Sequence, residues 1–192
     1  MIVDKLLEIV GHSGAIYTCD YYNGFIYSGS VDKYVTRWDL ETGTQDKFAI
    51  KFGTAIYSLK IIEEFLFVGL GNGDLHIFSL DTRVELKFFT QHKTGIFEIE
   101  YNKRVGHVYV TDSDGNISVW DIKDFSLVLY LPLNCGKIRS ISVVDDGSII
   151  SLACQDGTLR VFETSGYNEI KTISGHANGA SACLFDPRNS NN

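Results

Sequence analysis

Three histidines, His12, His92 and His176, are the side chains of this 192-residue chain that most invite chemistry, because a neutral imidazole is the commonest metal ligand. Each stands at the start of a similar run, and matching places in separate repeats are held apart instead of converging on one ion, so no metal site is expected. Asp112-Ser113-Asp114-Gly115-Asn116 begins like a calcium loop. That loop needs glycine at its sixth position and glutamate at its twelfth, where this chain has Ile117 and Lys123. Gly69-Leu70-Gly71-Asn72-Gly73 has the wrong glycine spacing for a dinucleotide cradle and leads into a strand-like run instead of a helix. Asn116-Ile117-Ser118 is a glycosylation sequon, which has meaning only in a secreted chain. No Ser-His-Asp order, activated cysteine or convergent carboxylate pair stands out, so neither catalytic nor cofactor-binding residues are expected.

The composition is that of an ordinary soluble globular protein. Hydrophobic residues make up 44% and charged residues 21%, and the net charge of −7 gives no global field for nucleic acid or an anionic membrane. The opening MIVDKLLEIV has an acid at its fourth residue and lacks the basic start and apolar centre of a signal peptide. No apolar run approaches the roughly 18 residues of a membrane span. A soluble intracellular protein, cytoplasmic or nuclear, is expected. Cys19, Cys135, Cys154 and Cys183 form no C-x-x-C pair and are expected reduced, with Cys19, Cys154 and Cys183 inside apolar stretches as small buried side chains.

What positions all of these residues is a repeat. Trp38, Phe78, Trp120 and Phe162 fall at intervals of 40, 42 and 42 residues and end the alternating runs KYVTRW, GDLHIF, GNISVW and GTLRVF. Six residues before each aromatic stand Asp32, Asn72, Asp114 and Asp156, followed by Lys33, Gly73, Gly115 and Gly157. These pairs predict two-residue hairpin turns with positive φ. Upstream lie the runs FIYSGS, FLFVGL, HVYVTD and IISLAC, and before them runs centred on Ile16, Ile56, Ile96 and Ile138. DKFAI, ELKFF, LVLYL and EIKTI close the units, so each unit reads as four short strands joined by tight turns. Pro132 and Pro187 fall near unit edges.

The unit resembles the WD repeat of β-propellers, marked by Gly-His before the first strand and Trp-Asp ending the third. Repeat one carries Gly11-His12 and Trp38-Asp39, and repeat three carries Gln91-His92 and Trp120-Asp121. Repeats two and four have Phe78-Ser79 and Phe162-Glu163 with no starting histidine, and Gly175-His176 opens a fifth unit that runs to ASACLF. The resemblance covers residues 5–185. It implies an all-β fold, a propeller of four-stranded antiparallel blades, partial at about four and a half repeats. Blades are expected near 15–52, 54–91, 94–133 and 137–174, with the start of a fifth at 175–187 and a clasp strand at 1–10.

The resemblance also implies a structural network in which the turn aspartate accepts from the histidine, and a strand hydroxyl links histidine to the tryptophan N–H. Carried over, it gives His12, Ser28, Asp32 and Trp38 in repeat one. In repeat three it gives His92, Asp114 and Trp120, with Val110 where the hydroxyl of Ser28 would lie. At the mouth of the channel on the top face, where peptides commonly dock in such propellers, it places Tyr17, Tyr57, Phe97 and Arg139. Val31, Gly71, Ser113 and Gln155 would lie further out, with Ala15, Ala55, Gly95 and Lys137 beside them. Packing between blades is the competing role for the three aromatics. Lys137, Arg139 and Arg160 together could receive an acidic or phosphorylated peptide.

The function implied is a non-enzymatic scaffold that presents its top face to protein or peptide partners, with no cofactor, no nucleic acid and no membrane insertion. Two alternatives are a quinoprotein-like propeller enzyme and a structural assembly subunit. Propellers close with four to eight blades, so the repeats of this chain are expected to be a fragment of a longer ring, to pair with a second copy or another half-propeller, or, least expected, to close alone.

Overall fold

A computed structural model of the chain describes residues 7–186. It contains four antiparallel sheets of four strands, each a simple meander. The first holds β1 (Ile16–Tyr22), β2 (Phe25–Ser30), β3 (Tyr34–Asp39) and β4 (Gln45–Lys51), and the second β5 (Ile56–Ile62), β6 (Phe65–Leu70), β7 (Leu75–Ser79) and β8 (Glu85–Phe89). The third holds β9 (Ile96–Asn102), β10 (His107–Asp112), β11 (Asn116–Asp121) and β12 (Leu127–Pro132). The fourth holds β13 (Ile138–Val143), β14 (Ile149–Cys154), β15 (Thr158–Glu163) and β16 (Glu169–Ser174). No helix among the described residues is long and apolar enough to cross a membrane.

The second strands occupy the four runs read from the sequence, residue for residue. The first strands differ slightly, because Ile16, Ile56, Ile96 and Ile138 open them instead of sitting at their centres. Each isoleucine precedes a break in register with the second strand, as between Ile16 and Thr18 or Ile138 and Ser140. The residue after each isoleucine is thereby left out of the ladder, which turns it toward the rim.

The turns also differ from the two-residue form. Lys33 N–H donates to the Ser30 carbonyl at 3.1 Å, and Gly157 N–H to that of Cys154 at 3.2 Å. The second residue of each pair has positive φ, 74° at Lys33, 92° at Gly73, 83° at Gly115 and 87° at Gly157, whereas the preceding Asp or Asn does not. This is a tight turn closed by one left-handed residue, the form that longer hairpin loops take. The aspartate instead folds its side chain over the turn, with Asp32 Oδ1 accepting from Tyr34 N–H at 3.1 Å and Asp156 Oδ1 from Thr158 N–H at 3.0 Å.

Consecutive sheets stack along their innermost strands, β1 on β5, β5 on β9 and β9 on β13. Three apolar clusters fill the three interfaces. Tyr27, Val35, Ile56 and Val68 lie between sheets one and two, Phe67, Leu75, Ile99 and Val110 between two and three, and Tyr109, Val119, Ile141 and Leu152 between three and four. Strand alternation gives every sheet two faces, and each face finds cover only from a neighbour, so the blades hold one another in place.

Side chains on one inner strand also cap the backbone of the next. Leu59 N–H donates to Thr18 Oγ1 at 3.1 Å and Ile61 N–H to Asp20 Oδ2 at 2.8 Å. After the fourth sheet, Cys183 N–H donates to Ser140 Oγ at 3.3 Å and Phe185 N–H to Ser142 Oγ at 3.0 Å. Residues 181–185 therefore lie beside β13 much as β5 lies beside β1, although they pair with no second strand and form none themselves. The expected clasp is coil at residues 7–10, while its first six residues, like Pro187, fall outside the described part.

All four cysteines are free thiols, but their burial departs from expectation. Cys135 and Cys154 are buried, whereas Cys19 is exposed and Cys183 half-buried. Cys19 lies on β1, whose burial pattern is mostly exposed, and Cys183 lies in the coil segment beside β13.

Candidate functional site

His12 and His92 serve the blades. In the first, Trp38 Nε1–H donates to Ser28 Oγ at 2.6 Å, Ser28 Oγ lies 2.7 Å from His12 Nε2, and His12 Nδ1 lies 2.8 Å from Asp32 Oδ2. A carboxylate can only accept, which puts the imidazole proton on Nδ1 and leaves Nε2 to accept from the hydroxyl. Thr36 Oγ1 adds a second hydroxyl 3.0 Å from Nε2. Burial pushes the Asp32 carboxyl up, but hydrogen bonds from His12, Ser13 and Tyr34 outweigh it and hold the group below the usual aspartate range.

The third blade builds the same chain from other residues, which corrects two expectations. His92 Nδ1 lies 2.8 Å from Asp112, not Asp114, and Asp114 is exposed in the turn, where its N–H donates to Asp112 at 3.0 Å. The hydroxyl missing at Val110 is supplied by Ser118, the residue paired with Val110 across the hairpin, just as Thr36 pairs with Ser28. Ser118 Oγ lies 2.7 Å from His92 Nε2 and accepts from Trp120 Nε1–H at 2.8 Å. Either hairpin strand can bring a hydroxyl to this point. Asp112 is fully buried, yet its carboxyl is lowered, since bonds from His92 and from both the side chain and backbone of Asn116 outweigh the burial.

The more open feature lies at the rim of the inner strands. Tyr17, Tyr57 and Phe97, each just past its strand-opening isoleucine, form a ladder of rings. Tyr17 meets Tyr57 edge-on with centroids 5.4 Å apart, and Tyr57 lies tilted 5.3 Å from Phe97. Small residues make room for it, because a Cβ on Gly95 would lie 2.8 Å from the Tyr57 ring and one on Gly71 3.3 Å from it. Lys137 and Arg139 reach the same phenyl ring, with Nζ 5.3 Å and Cζ 5.8 Å from the Phe97 centroid.

Together these rings, Arg139, Glu98 and Ser181 line a groove of about 460 Å³. Tyr17 is 55% exposed, while Tyr57 and Phe97 are half-buried, so the rings both pack on one another and present their edges. Burial, and then repulsion from Glu100, raise the Glu98 carboxyl to about 7 against the pull of Lys60. Sequence reading passed over Glu98, whose matching residues are Thr18, Ser58 and Ser140, and an acid among hydroxyl residues at that place was the available signal.

The outer residues are placed by one backbone bond made four times. Val31 N–H donates to Ala15, Gly71 to Ala55, Ser113 to Gly95 and Gln155 to Lys137, at 2.9 to 3.0 Å. Val31, Ser113 and Gln155 thus stand in the turns outside the ladder, and the Gln155 side chain is turned inward to accept from Lys137 N–H at 3.1 Å. Arg160 does not join Lys137 and Arg139. It is bound to Asp156 at 3.1 Å and to the Leu133 carbonyl at 3.1 Å, with Glu169 at 3.9 Å. Among the described residues no cluster of three or more His, Cys, Asp or Glu is placed to hold a metal ion.

Comparison with known proteins gives the same family as the repeat. The family described as "WD domain, G-beta repeat" matches residues 4–39. The chain is similar to COMPASS component SWD3 of Saccharomyces cerevisiae, 24% identical over 90 residues, which are 46% of this chain and 29% of that protein. It is also similar to WD repeat-containing protein 97 of Homo sapiens, 26% identical over 102 residues, 53% of this chain and 6% of that protein. The matched part spans less than a third of either relative. The first repeat matches that family, and three more four-stranded sheets follow in phase with it.

Proposed function

We propose that this chain is a non-enzymatic interaction module that holds a peptide or protein partner in the groove lined by Tyr17, Tyr57, Phe97 and Arg139. The observation that carries the reading is the ring ladder itself. Tyr17 and Tyr57 meet at 5.4 Å and Tyr57 and Phe97 at 5.3 Å, at a rim where Tyr17 keeps 55% of its surface open. Aromatic side chains and arginine dominate binding hot spots because they bring large contact area at little conformational cost. A groove of about 460 Å³ suits a few side chains of a partner. The family, and a relative named as a component of a complex, support an interaction role.

Selection of peptides from a displayed library against the purified chain tests this. Peptides so obtained bind the unaltered protein and lose about tenfold or more in affinity to Tyr57→Ala and Tyr17→Ala, whose truncated rings remove the ladder. Selected peptides that bind both variants as well as the original would contradict the reading.

A further inference from the structure

Lys137 and Arg139 approach Phe97 without meeting an acid. Each lies near the phenyl ring, at 5.3 and 5.8 Å, and among the described residues neither side chain makes a hydrogen bond or an ion pair. Their side-chain N–H donors, which no protein acceptor among the described residues takes, are free for a carboxylate. Three cations elsewhere meet acids, and what sets Lys137 and Arg139 apart is that both stand at one ring of the groove. Lys60 meets Glu100 at 2.9 Å, Arg160 meets Asp156 at 3.1 Å, and Arg37 is paired with Asp46. In a chain of net charge −7, two unpaired cations fixed beside one ring, at the end of an aromatic ladder, are a local reversal of sign.

We propose that the groove receives an acidic peptide segment, with an aspartate or glutamate carboxylate of the partner docking on Lys137 and Arg139 and its neighbouring residues lying along Tyr57 and Tyr17. This rests on the reading of the groove as the partner site and names the partner's chemistry. Ser181, which lines the same groove, offers a further hydroxyl donor.

Glu98 sets the pH dependence. Glu100 on its own strand and Lys60 on β5 act on it, Arg139 on β13 lines the same groove, and Thr111 is its cross-strand partner on β10. Lys60 is held by Glu100. With its carboxyl raised to about 7, Glu98 is largely neutral at pH 6 and largely charged at pH 8. A charged Glu98 repels an incoming carboxylate, so binding tightens as pH falls across that window. The ligand carboxylate, with an ordinary pKa of about 4, stays ionised throughout.

The test uses three fluorescein-labelled peptides alike except for a central Glu-Glu, Gln-Gln or Lys-Lys, titrated with the full chain by anisotropy at about 0.15 M salt. The Glu-Glu peptide is expected to bind about tenfold or more tighter than the Gln-Gln peptide, and the Lys-Lys peptide weakest. Lys137→Gln and Arg139→Gln, checked for folding by circular dichroism, each weaken the Glu-Glu peptide by about fivefold or more. Glu98→Gln tightens it at pH 8 and flattens its pH profile. Equal binding of the three peptides, a preference for lysine, or indifference to the double change Lys137→Gln and Arg139→Gln overturns the proposal. If Tyr57→Ala then still abolishes binding of library-selected peptides, the acidic chemistry alone has failed. If it does not, the partner-site reading has failed with it.

Discussion

His92 and Asp112 are joined at 2.8 Å inside the third blade, where both side chains are essentially closed to solvent. The imidazole donates a hydrogen bond from Nδ1–H to the carboxylate and accepts one at Nε2 from the hydroxyl of Ser118, which in turn accepts from the indole of Trp120. Removing Asp112 leaves the N–H groups of His92 and Asn116 without an acceptor, at about 1–3 kcal/mol for each buried orphan. Asp112→Ala is therefore expected to cost on the order of 3 kcal/mol in urea unfolding, whereas Asp114→Ala, in the exposed turn, stays within about 0.5 kcal/mol. Equal costs would contradict the placement of the network.

The same chain should act as a unit. Trp120→Phe reproduces the aromatic that repeats two and four carry, and they lack the starting histidine as well. In a double-mutant cycle His92→Ala and Trp120→Phe are expected to couple by about 0.5 kcal/mol or more, because the second change removes a donor whose relay the first has already disordered. Strict additivity would show that the two side chains are independent.

Two acids give stability opposite slopes in pH. The carboxyl of Asp112 is held below its unfolded value, so its contribution is present above that value, near pH 4, and is lost as pH falls through the lower folded one. Glu98 is raised from 4.5 to about 7, so the folded state binds the extra proton and stability declines as pH rises between those values. At about 1.4 kcal/mol per unit, the loss is on the order of 3 kcal/mol at most. Thermal or urea unfolding of Glu98→Gln at pH 5 and pH 8 should lack that decline, and an unchanged decline would assign it to other groups.

Close stacking of the blades depends on missing side chains at two places. A Cβ on Gly69 would lie 2.4 Å from Ser58 Oγ and 2.5 Å from Ile96 Cγ2, and one on Gly29 would lie 2.4 Å from Ile56 Cγ2. Gly69→Ala is expected to destabilise by about 1–3 kcal/mol through overpacking, measured by urea unfolding. Gly24→Ala makes a useful contrast, since that site meets no atom within 4 Å and suffers only from its φ of 84°.

Much of the fold was legible because period-two runs and turn pairs recur in phase with the aromatics, and four repeats reinforce what one leaves ambiguous. Phe65–Leu70 and Ile149–Cys154 could be read residue for residue. Three things could not. Ser118 replaces the absent hydroxyl at Val110 through cross-strand pairing, a relation between strands that position along the chain does not encode. Asp112 and Asp114 are alike in type, and only burial of the first decides which meets His92. Arg160 looked free beside Lys137 and Arg139 until the fold brought the carbonyl of Leu133 to it. The ladder residues were nameable from the repeat, but their mutual contacts depend on glycines at 71 and 95 that leave space for Tyr57.

The account stands or falls on where a partner sits. Nitrogen-15 chemical-shift mapping of the full chain with a library-selected peptide tests this directly. The account predicts that the largest shifts fall on the amides of Tyr57, Phe97, Arg139 and Ser181, around the groove. Shifts confined to the opposite turns, such as those at Asn23 and Gly24 or at Arg104 and Val105, would contradict it.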